Sequence, residues 1–398
     1  MDDGRWQDCV LGDLITLQRG YDITKKAQSD GPYPVVSSSG PTSTHIAFTD
    51  AGPGVVIGRK GTLGKAFYVD GPYWAHDTTL WVKDFKGNDR KFVFYLLKSM
   101  NLAAYDVGSS NPTLNRNHLH LISIRVPIQV DSQRRIANVL STYDELIEVN
   151  QRRIAILAEM ARRLFDEWFV RFRFPGHEIV PMVETELGIL PDGWDLETAR
   201  NALSYTGGGT PSKSETSYWQ NGSVAWFTPT DLTRTGRTFL DSSSLMITEA
   251  GLAKSSARLF PPFSIMMTSR ATLGVFAINT TPATTNQGFI TFIPGGRTPR
   301  YFLYHMLKRE FPRMEAVASG ATFKEITKGA LGELMFALPP EHLVQRFERL
   351  VTPLMEQVAV ISRQSDRLRD ARDLLLPKLI SGEIDLSTAE EKFAEAAE

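Results

Sequence analysis

The chain has 398 residues, 44 Lys and Arg against 45 Asp and Glu, a formal net charge of −1 and a single cysteine, Cys9. Such a length allows two or three domains. One cysteine excludes a disulfide framework and any cysteine-rich metal site. No apolar run approaches the roughly 18–20 residues needed to span a bilayer, and the opening residues carry no basic region followed by an apolar stretch. Cytoplasmic residence is therefore the expectation. Charge is uneven along the chain: residues 1–130 hold 14 basic against 12 acidic side chains, and residues 341–398 hold 8 against 12. Nucleic-acid binding needs a local basic face rather than a basic chain, so this distribution permits such binding without arguing for it.

Residues 1–130 are rich in Gly, Ser, Thr, Pro and aromatics. Val55-Val56-Ile57, Ala66-Phe67-Tyr68-Val69 and Thr79-Leu80-Trp81-Val82 read as strands between glycine-containing turns. Phe92, Tyr95, Leu96 and Met100 share one face of a predicted helix over 90–100. The strand Ile122-Ser123-Ile124-Arg125-Val126 closes this first globular domain, and Pro127 ends it.

At Ser132 the pattern changes. Ile136, Leu140, Tyr143, Ile147, Asn150, Ile154, Leu157, Ala161, Leu164 and Trp168 step 4-3-4-3, a coiled-coil seam over 131–175. Asp131 or Ser132 can cap its start, and Pro175-Gly176 marks its stop. Residues 176–340 return to strand-and-turn composition, with strands predicted at Val224–Phe227, Ser264–Met267 and Gly288–Ile293. A second helix is predicted over 341–386. Its seam is Leu343, Phe347, Leu350, Leu354, Gln357, Ile361, Gln364, Leu368, Ala371 and Leu375. An acidic tail, expected to be disordered, occupies 387–398.

The two halves repeat one plan. Gly58-Arg59-Lys60-Gly61-Thr62-Leu63-Gly64 returns as Ser269-Arg270-Ala271-Thr272-Leu273-Gly274. His76-Asp77-Thr78-Thr79 is set against Thr285-Asn286-Gln287-Gly288, Val126-Pro127 against Leu338-Pro339, and Gln133 against Gln345. A period near 210 residues is too long for a solenoid and means two copies of a domain-plus-helix unit. The fold class expected is α+β: two similar globular domains separated by two long helices. If the seams pair, connectivity makes the pair antiparallel and relates the domains by a pseudo-two-fold axis. The amides Asn150, Gln357 and Gln364 in the seams either fix its register or face solvent at a gap.

Two similar domains on a rigid spacer match a reader of two separated half-sites on a duplex. Because the copies differ in sequence, the target expected is asymmetric and interrupted. In the first half, candidate DNA-binding residues are Ser38, Ser39, Thr42 and His45 on a loop of small donors and acceptors. Arg59, Lys60, Thr62 and Lys65 stand on a glycine-rich turn, and His76, Thr78, Ser110, Asn111 and Arg116 follow. In the second half they are Thr210, Ser212, Lys213, Thr230, Arg270, Thr272, Asn286, Gln287, Thr322 and Lys324. Segments 207–213 and 228–231 read as counterparts of the serine-rich loop. Hydroxyls and backbone N–H groups suit phosphate, while His, Asn, Gln and Arg suit base edges; His45, Asn286 and Gln287 are the base-reading candidates. Shared backbone contacts are expected at Arg59/Arg270 and Thr62/Thr272. Arg152, Arg153, Arg162 and Arg163 are candidate docking residues on the first helix.

Catalytic signatures are absent. Gly207-Gly208-Gly209-Thr210 lacks the ending of a phosphate-binding P-loop. Asn111-Pro112-Thr113-Leu114 lacks the second proline and the aromatic of an adenine-methyltransferase motif. The seven histidines do not cluster with carboxylates at metal-ligand spacing, and no metal site is expected.

These residues resemble the specificity subunit of type I restriction-modification systems over nearly the whole chain. The likeness rests on Tyr33-Pro34-Val35-Val36-Ser37-Ser38-Ser39-Gly40, Gly58-Arg59-Lys60-Gly61, Phe67-Tyr68-Val69-Asp70-Gly71-Pro72 and Trp168–Gly176. It continues in Gly208-Gly209-Thr210-Pro211-Ser212, Ser269–Gly274, Thr285–Phe289 and Leu375–Ile384. The resemblance implies two target-recognition domains, each reading half of a bipartite DNA site, on helices that set the spacer. It also implies a complex with two modification subunits and two motor-nuclease restriction subunits. S-adenosylmethionine, ATP and magnesium would then belong to those partners, with no cofactor on this chain. The alternative is a coiled-coil protein-interaction adaptor without sequence-specific DNA binding.

Overall fold

The computed structural model describes residues 6–384 except 109–111 and 321–323, together with 386, 392 and 395. The chain forms two compact units, one of Met1–Asn150 with Arg363–Glu398 and the other of Gln151–Ser362. Each unit therefore combines one globular domain with part of both long helices, Val130–Phe165 and Glu341–Ser381.

In the first unit a sheet runs in the order Thr16–Arg19, Thr79–Asp84, Gly54–Gly58, Ala66–Val69, every neighbouring pair antiparallel. The central strands are buried almost throughout, which is why Val55-Val56-Ile57 and Leu80-Trp81-Val82 are continuous apolar runs rather than alternating ones. A second sheet joins Gly40–His45, Tyr33–Ser37 and Trp74–Ala75. The segment expected as a serine-rich loop is thus mostly a hairpin, pairing Tyr33 with His45 and Ser37 with Gly40. Ser38 and Ser39 form its turn, and Thr42 and Thr44 are exposed on its second strand.

The helix Arg90–Ser99 packs Phe92, Val93, Leu96 and Leu97 inward, and Asp89 caps it by accepting from Phe92 N–H at 2.8 Å. Buried Gln133, on the long helix, accepts from Asp89 N–H at 2.9 Å and donates to Asn88 Oδ1 at 2.8 Å. That amide fastens the globular part to the start of the long helix. Trp6–Val10 pairs antiparallel with Ser123–Pro127 to close the domain.

The second unit repeats this plan. Ser204–Gly207, Phe289–Ile293, Ile265–Arg270 and Thr272–Asn279 form the matching sheet in the matching order, extended by Phe239–Leu240. Leu245–Ile247, Val224–Phe227 and Ala283–Thr285 form the second sheet, and Asp195–Thr198 pairs with Met335–Leu338 as the closing strands. The helix Arg300–Ala316 corresponds to Arg90–Ser99 and was not anticipated from sequence. It starts at Pro299, which offers no side-chain cap, and its first N–H groups are taken by the long helix instead. Glu348 accepts from Tyr301 N–H at 3.0 Å and Phe302 N–H at 2.9 Å, a charge-to-dipole contact at a helix N-terminus.

The helix pair is antiparallel within the first unit: Asp144 meets Arg372, and Asn150 meets Gln364, so one number rises as the other falls. On the first helix the expected seam is where the apolar contact lies. Ile136, Leu140, Tyr143, Ile147, Asn150, Ala161 and Trp168 are buried, with Ile154, Leu157 and Leu164 half-buried. The α-helix ends at Phe165 and passes into a π-helical turn, Asp166–Val170, ahead of the expected stop. On the second helix Leu343, Phe347, Ile361, Leu368 and Leu375 are buried as expected and Ala371 and Gln364 half-buried.

Between Phe347 and Ile361 the expectation fails. Leu350 is 49% exposed, Gln357 is exposed and Leu354 is half-buried; Val351, Met355 and Val358 are buried in their place. That neighbouring stripe buries three apolar side chains and no amide, which is the cheaper arrangement. Pro353 lies inside this stretch and lacks the N–H that a helix interior uses.

Candidate nucleic-acid interface

The repeat can be registered through backbone hydrogen bonds. Tyr21 N–H donates to Ala75 C=O at 2.8 Å, and Gly209 N–H to Thr285 C=O at 2.9 Å. His76 N–H donates to Val36 C=O at 3.0 Å, and Asn286 N–H to Phe227 C=O at 3.1 Å. Arg59 N–H donates to Thr78 C=O at 2.8 Å, and Ser269 N–H to Gly288 C=O at 2.8 Å. Leu114 N–H donates to Arg59 C=O at 3.0 Å, and Ile326 N–H to Ser269 C=O at 2.9 Å. Four bonds in the same relation define one corner built twice, where separate segments of the chain meet at one end of each main sheet.

Glycine is required in the first of these segments in both copies. A Cβ on Gly20 would lie 2.1 Å from His76 O, and one on Gly208 2.0 Å from Asn286 O. At the turn between the paired strands, Gly61 has φ +77° and its counterpart Ala271 φ +61°. These are left-handed conformations that only glycine adopts freely.

This register corrects three sequence alignments. Lys60, not Arg59, is the counterpart of Arg270, and Arg59 corresponds to Ser269. His76 and Asp77 correspond to Asn286 and Gln287 rather than to Thr285 and Asn286. Gly207–Thr210 corresponds to Arg19–Asp22, not to the serine-rich hairpin. The first two are one-residue shifts and the third is a change of segment, and in each the backbone pairing rather than side-chain resemblance sets the register.

In the first copy Lys60 and Thr62 are exposed on the turn, and Thr78 Oγ1 lies 2.9 Å from His76 Nδ1 and accepts from Ser38 N–H at 3.3 Å. Arg59 is half-buried and its Nη1 is buried without a hydrogen-bond partner. Burial, then neighbouring Arg19, pushes its guanidinium below the ordinary range while Asp77 pulls it back. Arg59 is thus less accessible than Lys60 on the same turn. Arg19, 54% exposed in its side chain, holds Asp77 at 3.1 Å, and Asp77 also lies 3.1 Å from His76 Nδ1.

Asp22 joins His76 and Asp77, with one ligand-type atom from each within 4.8 Å of the others. Sequence spacing missed this cluster because Asp22 arrives on a different strand connection. Within it Asp77 is paired with Arg19 at 3.1 Å.

The remaining first-half candidates divide. Ser39 and Thr42 are exposed on the hairpin, Arg116 is exposed at the start of the helix Arg116–His120, and Lys65 is exposed with its ammonium 5.2 Å from the Phe67 ring centre. His45 is not available to read a base. It is buried, accepts from Ser29 N–H at 3.1 Å through Nδ1 and packs edge-on against Trp74. Ser110, Asn111 and Thr322 lie outside the described residues.

In the second copy Arg270 is exposed with Glu325 at 3.5 Å, and Thr272 and Lys324 are exposed beside it, Lys324 C=O accepting from Ala271 N–H at 3.2 Å. Gln287 is exposed and its Oε1 accepts from Thr210 Oγ1 at 2.5 Å. Asn286 Oδ1 accepts from Gly288 N–H at 2.9 Å, which fixes the turn. Thr230, Ser212 and Lys213 are exposed, with Ser212 Oγ 2.8 Å from Ser214 Oγ. Sequence reading missed Lys328, whose Nζ lies 3.4 Å from where a Cβ of Gly207 would stand.

On the long helix Arg162 and Arg163 both donate to Glu159 at 2.7 Å, holding its carboxyl down to about 2, while Arg152 and Arg153 are exposed. No described helix is long and apolar enough to cross a membrane.

A duplicated α+β domain, each copy presenting a small polar corner with an exposed cation at the matching position, defines a two-site recognition protein. The type I restriction modification DNA specificity domain, Methylase_S, matches residues 4–159 and 192–346, and the chain belongs to that family. It is 30% identical over 187 residues to the MjaIX specificity subunit of Methanocaldococcus jannaschii, covering 46% of this chain and 43% of that protein. To the HindI specificity subunit of Haemophilus influenzae it is 23% identical over 360 residues, covering 74% and 77%. The fold is shared with the type I system S subunit from M. genitalium, at a TM-score of 0.63 and 16% identity over 95% of this chain and 97% of that one.

Proposed function

We propose that this chain is the DNA-recognition subunit of a type I restriction-modification complex and carries no catalysis of its own. Each globular domain reads one half of an asymmetric, interrupted site through its corner. The long helices set the unread spacer and dock two modification subunits, to which two restriction subunits add. S-adenosylmethionine, ATP and magnesium act on those partners, and the complex works in the cytoplasm.

The observation that carries this reading is the identical backbone frame of the two corners, combined with a matched cation (Lys60, Arg270), a matched hydroxyl (Thr62, Thr272) and unmatched neighbours. Matched groups suit the repeating phosphate backbone, and unmatched ones suit two different base sequences. The test is assembly with modification subunits, followed by mapping of methylated positions in host DNA. One bipartite, asymmetric motif is expected. Methyl transfer by this chain alone, or binding indifferent to a scrambled site, would sink the reading.

A further inference from the structure

Deepening the reading of the corners as DNA-facing, and resting on it, we propose that Arg19 backed by Asp77 reads a guanine in one half-site, and that Gln287 reads an adenine at the matching place in the other.

The equivalence of the corners identifies where they diverge. Arg19 becomes Gly207, Asp22 becomes Thr210 and Asp77 becomes Gln287, while the cation at Lys60/Arg270 stays. A side chain that grips phosphate has no reason to change between two half-sites, because phosphate is the same in both. One that reads a base does.

Arg19 is built for reading rather than for charge neutralisation. Its Nη2 lies 3.1 Å from Asp77 Oδ2, and Asp77 is in turn 3.1 Å from His76 Nδ1 and only 20% exposed in its side chain. Asp77 lies closer to Arg19, at 3.1 Å, than Glu325 does to Arg270, at 3.5 Å, so of the two arginines Arg19 is the poorer phosphate clamp. It does, however, hold a planar fork of donors in one orientation. Guanine alone presents two acceptors, O6 and N7, on its major-groove edge, and arginine meets them with two parallel N–H groups.

In the other copy Gly207 removes the arginine altogether. The ammonium that comes closest, Lys328, is a point charge without a fork and suits phosphate. The exposed group at Asp77's position is the Gln287 amide, oriented by the hydroxyl of Thr210 on its Oε1. An amide offers a donor and an acceptor side by side, the complement of adenine N7 and N6.

The experiment takes the full chain assembled with its modification subunits, selects bound duplexes from a library with both half-sites randomised, and sequences them. The unaltered chain should select an interrupted motif. Arg19→Lys, which keeps the charge and loses the fork, and Asp77→Asn should each erase a preference of about tenfold or more for one guanine, leaving the other half-site untouched. Gln287→Glu should exchange one adenine for cytosine in that other half, because a carboxylate accepts from the cytosine N4 amino group. Variants that bind all sequences more weakly with both motifs intact would overturn the assignment while leaving the two-site reading in place. An unaltered chain that selects no motif would overturn both. Should Arg19→Lys not fold, Asp77→Asn carries the first arm by itself.

Discussion

Asn150 donates its side-chain amide to Gln364 Oε1 across 3.4 Å, joining the two long helices amid buried Ile147 and Leu368. Asn150 is fully buried, and its own Oδ1 is buried without a hydrogen-bond partner. A buried amide satisfied on one side only costs stability and in return restricts which registers the helices can adopt. Asn150→Leu should therefore raise the stability of the first unit by about 1–2 kcal/mol, read as a higher urea midpoint at unchanged slope. A lower midpoint would mean that the pair contributes more than the orphaned oxygen costs.

His305 makes the second unit sensitive to acid. Burial, with Lys308 and Arg162 adding to it, lowers its pKa from 6.5 to about 3, and its ring lies stacked near Phe165. Because the folded-state value is depressed, the unfolded chain binds the proton first. The stabilisation from neutral His305 is complete above pH 6.5 and is lost as pH falls toward 3. The expected slope is about 1.4 kcal/mol per pH unit in that window. His305→Phe should remove it, so the stability drop between pH 7 and pH 5, followed by chemical denaturation, should shrink by about 2 kcal/mol. Equal drops in both proteins would refute the assignment.

Lys60 and Arg270 should behave alike and Arg59 differently. Lys60→Ala and Arg270→Ala should each weaken DNA binding across all sequences and reduce the salt slope of binding by about one ion. Arg59→Ala, which removes a half-buried guanidinium, should leave the salt slope unchanged. A salt slope that changes for Arg59 and not for Lys60 would restore the alignment that side-chain resemblance suggested.

Gly20 and Gly208 test whether the corners act independently. Gly20→Ala forces a methyl against His76 O, and Gly208→Ala forces one against Asn286 O. Each should abolish recognition of one half-site and leave the other in the selected motif. Intact selection of both half-sites by either variant would show that the corner is not where reading occurs.

The duplication, the strands and the first helix seam were legible because they depend on local patterns: continuous apolar runs, glycine turns, a 4-3 spacing. The hairpin of Tyr33–His45 was not, because its Ser and Thr residues pair through backbone atoms that composition does not reveal. Leu350 and Gln357 failed for a related reason. Heptad counting assumes an unbroken helix with one candidate stripe, and this helix contains Pro353 and a second stripe of Val351, Met355 and Val358. His45 looked like a base reader by residue type, and burial against Trp74 removed it.

By itself the sequence determined that this protein has two copies of one unit, and where the two long helices run, since chain neighbours alone set those patterns. Only the tertiary structure decided which residues in the two copies are equivalent. Arg19, Lys60 and Asp77 come from three separate segments of the chain, and hydrogen bonds between strands distant in the chain bring them to one corner. Those bonds are between backbone atoms, the same for every residue type, so no side-chain pattern could have announced the register they impose.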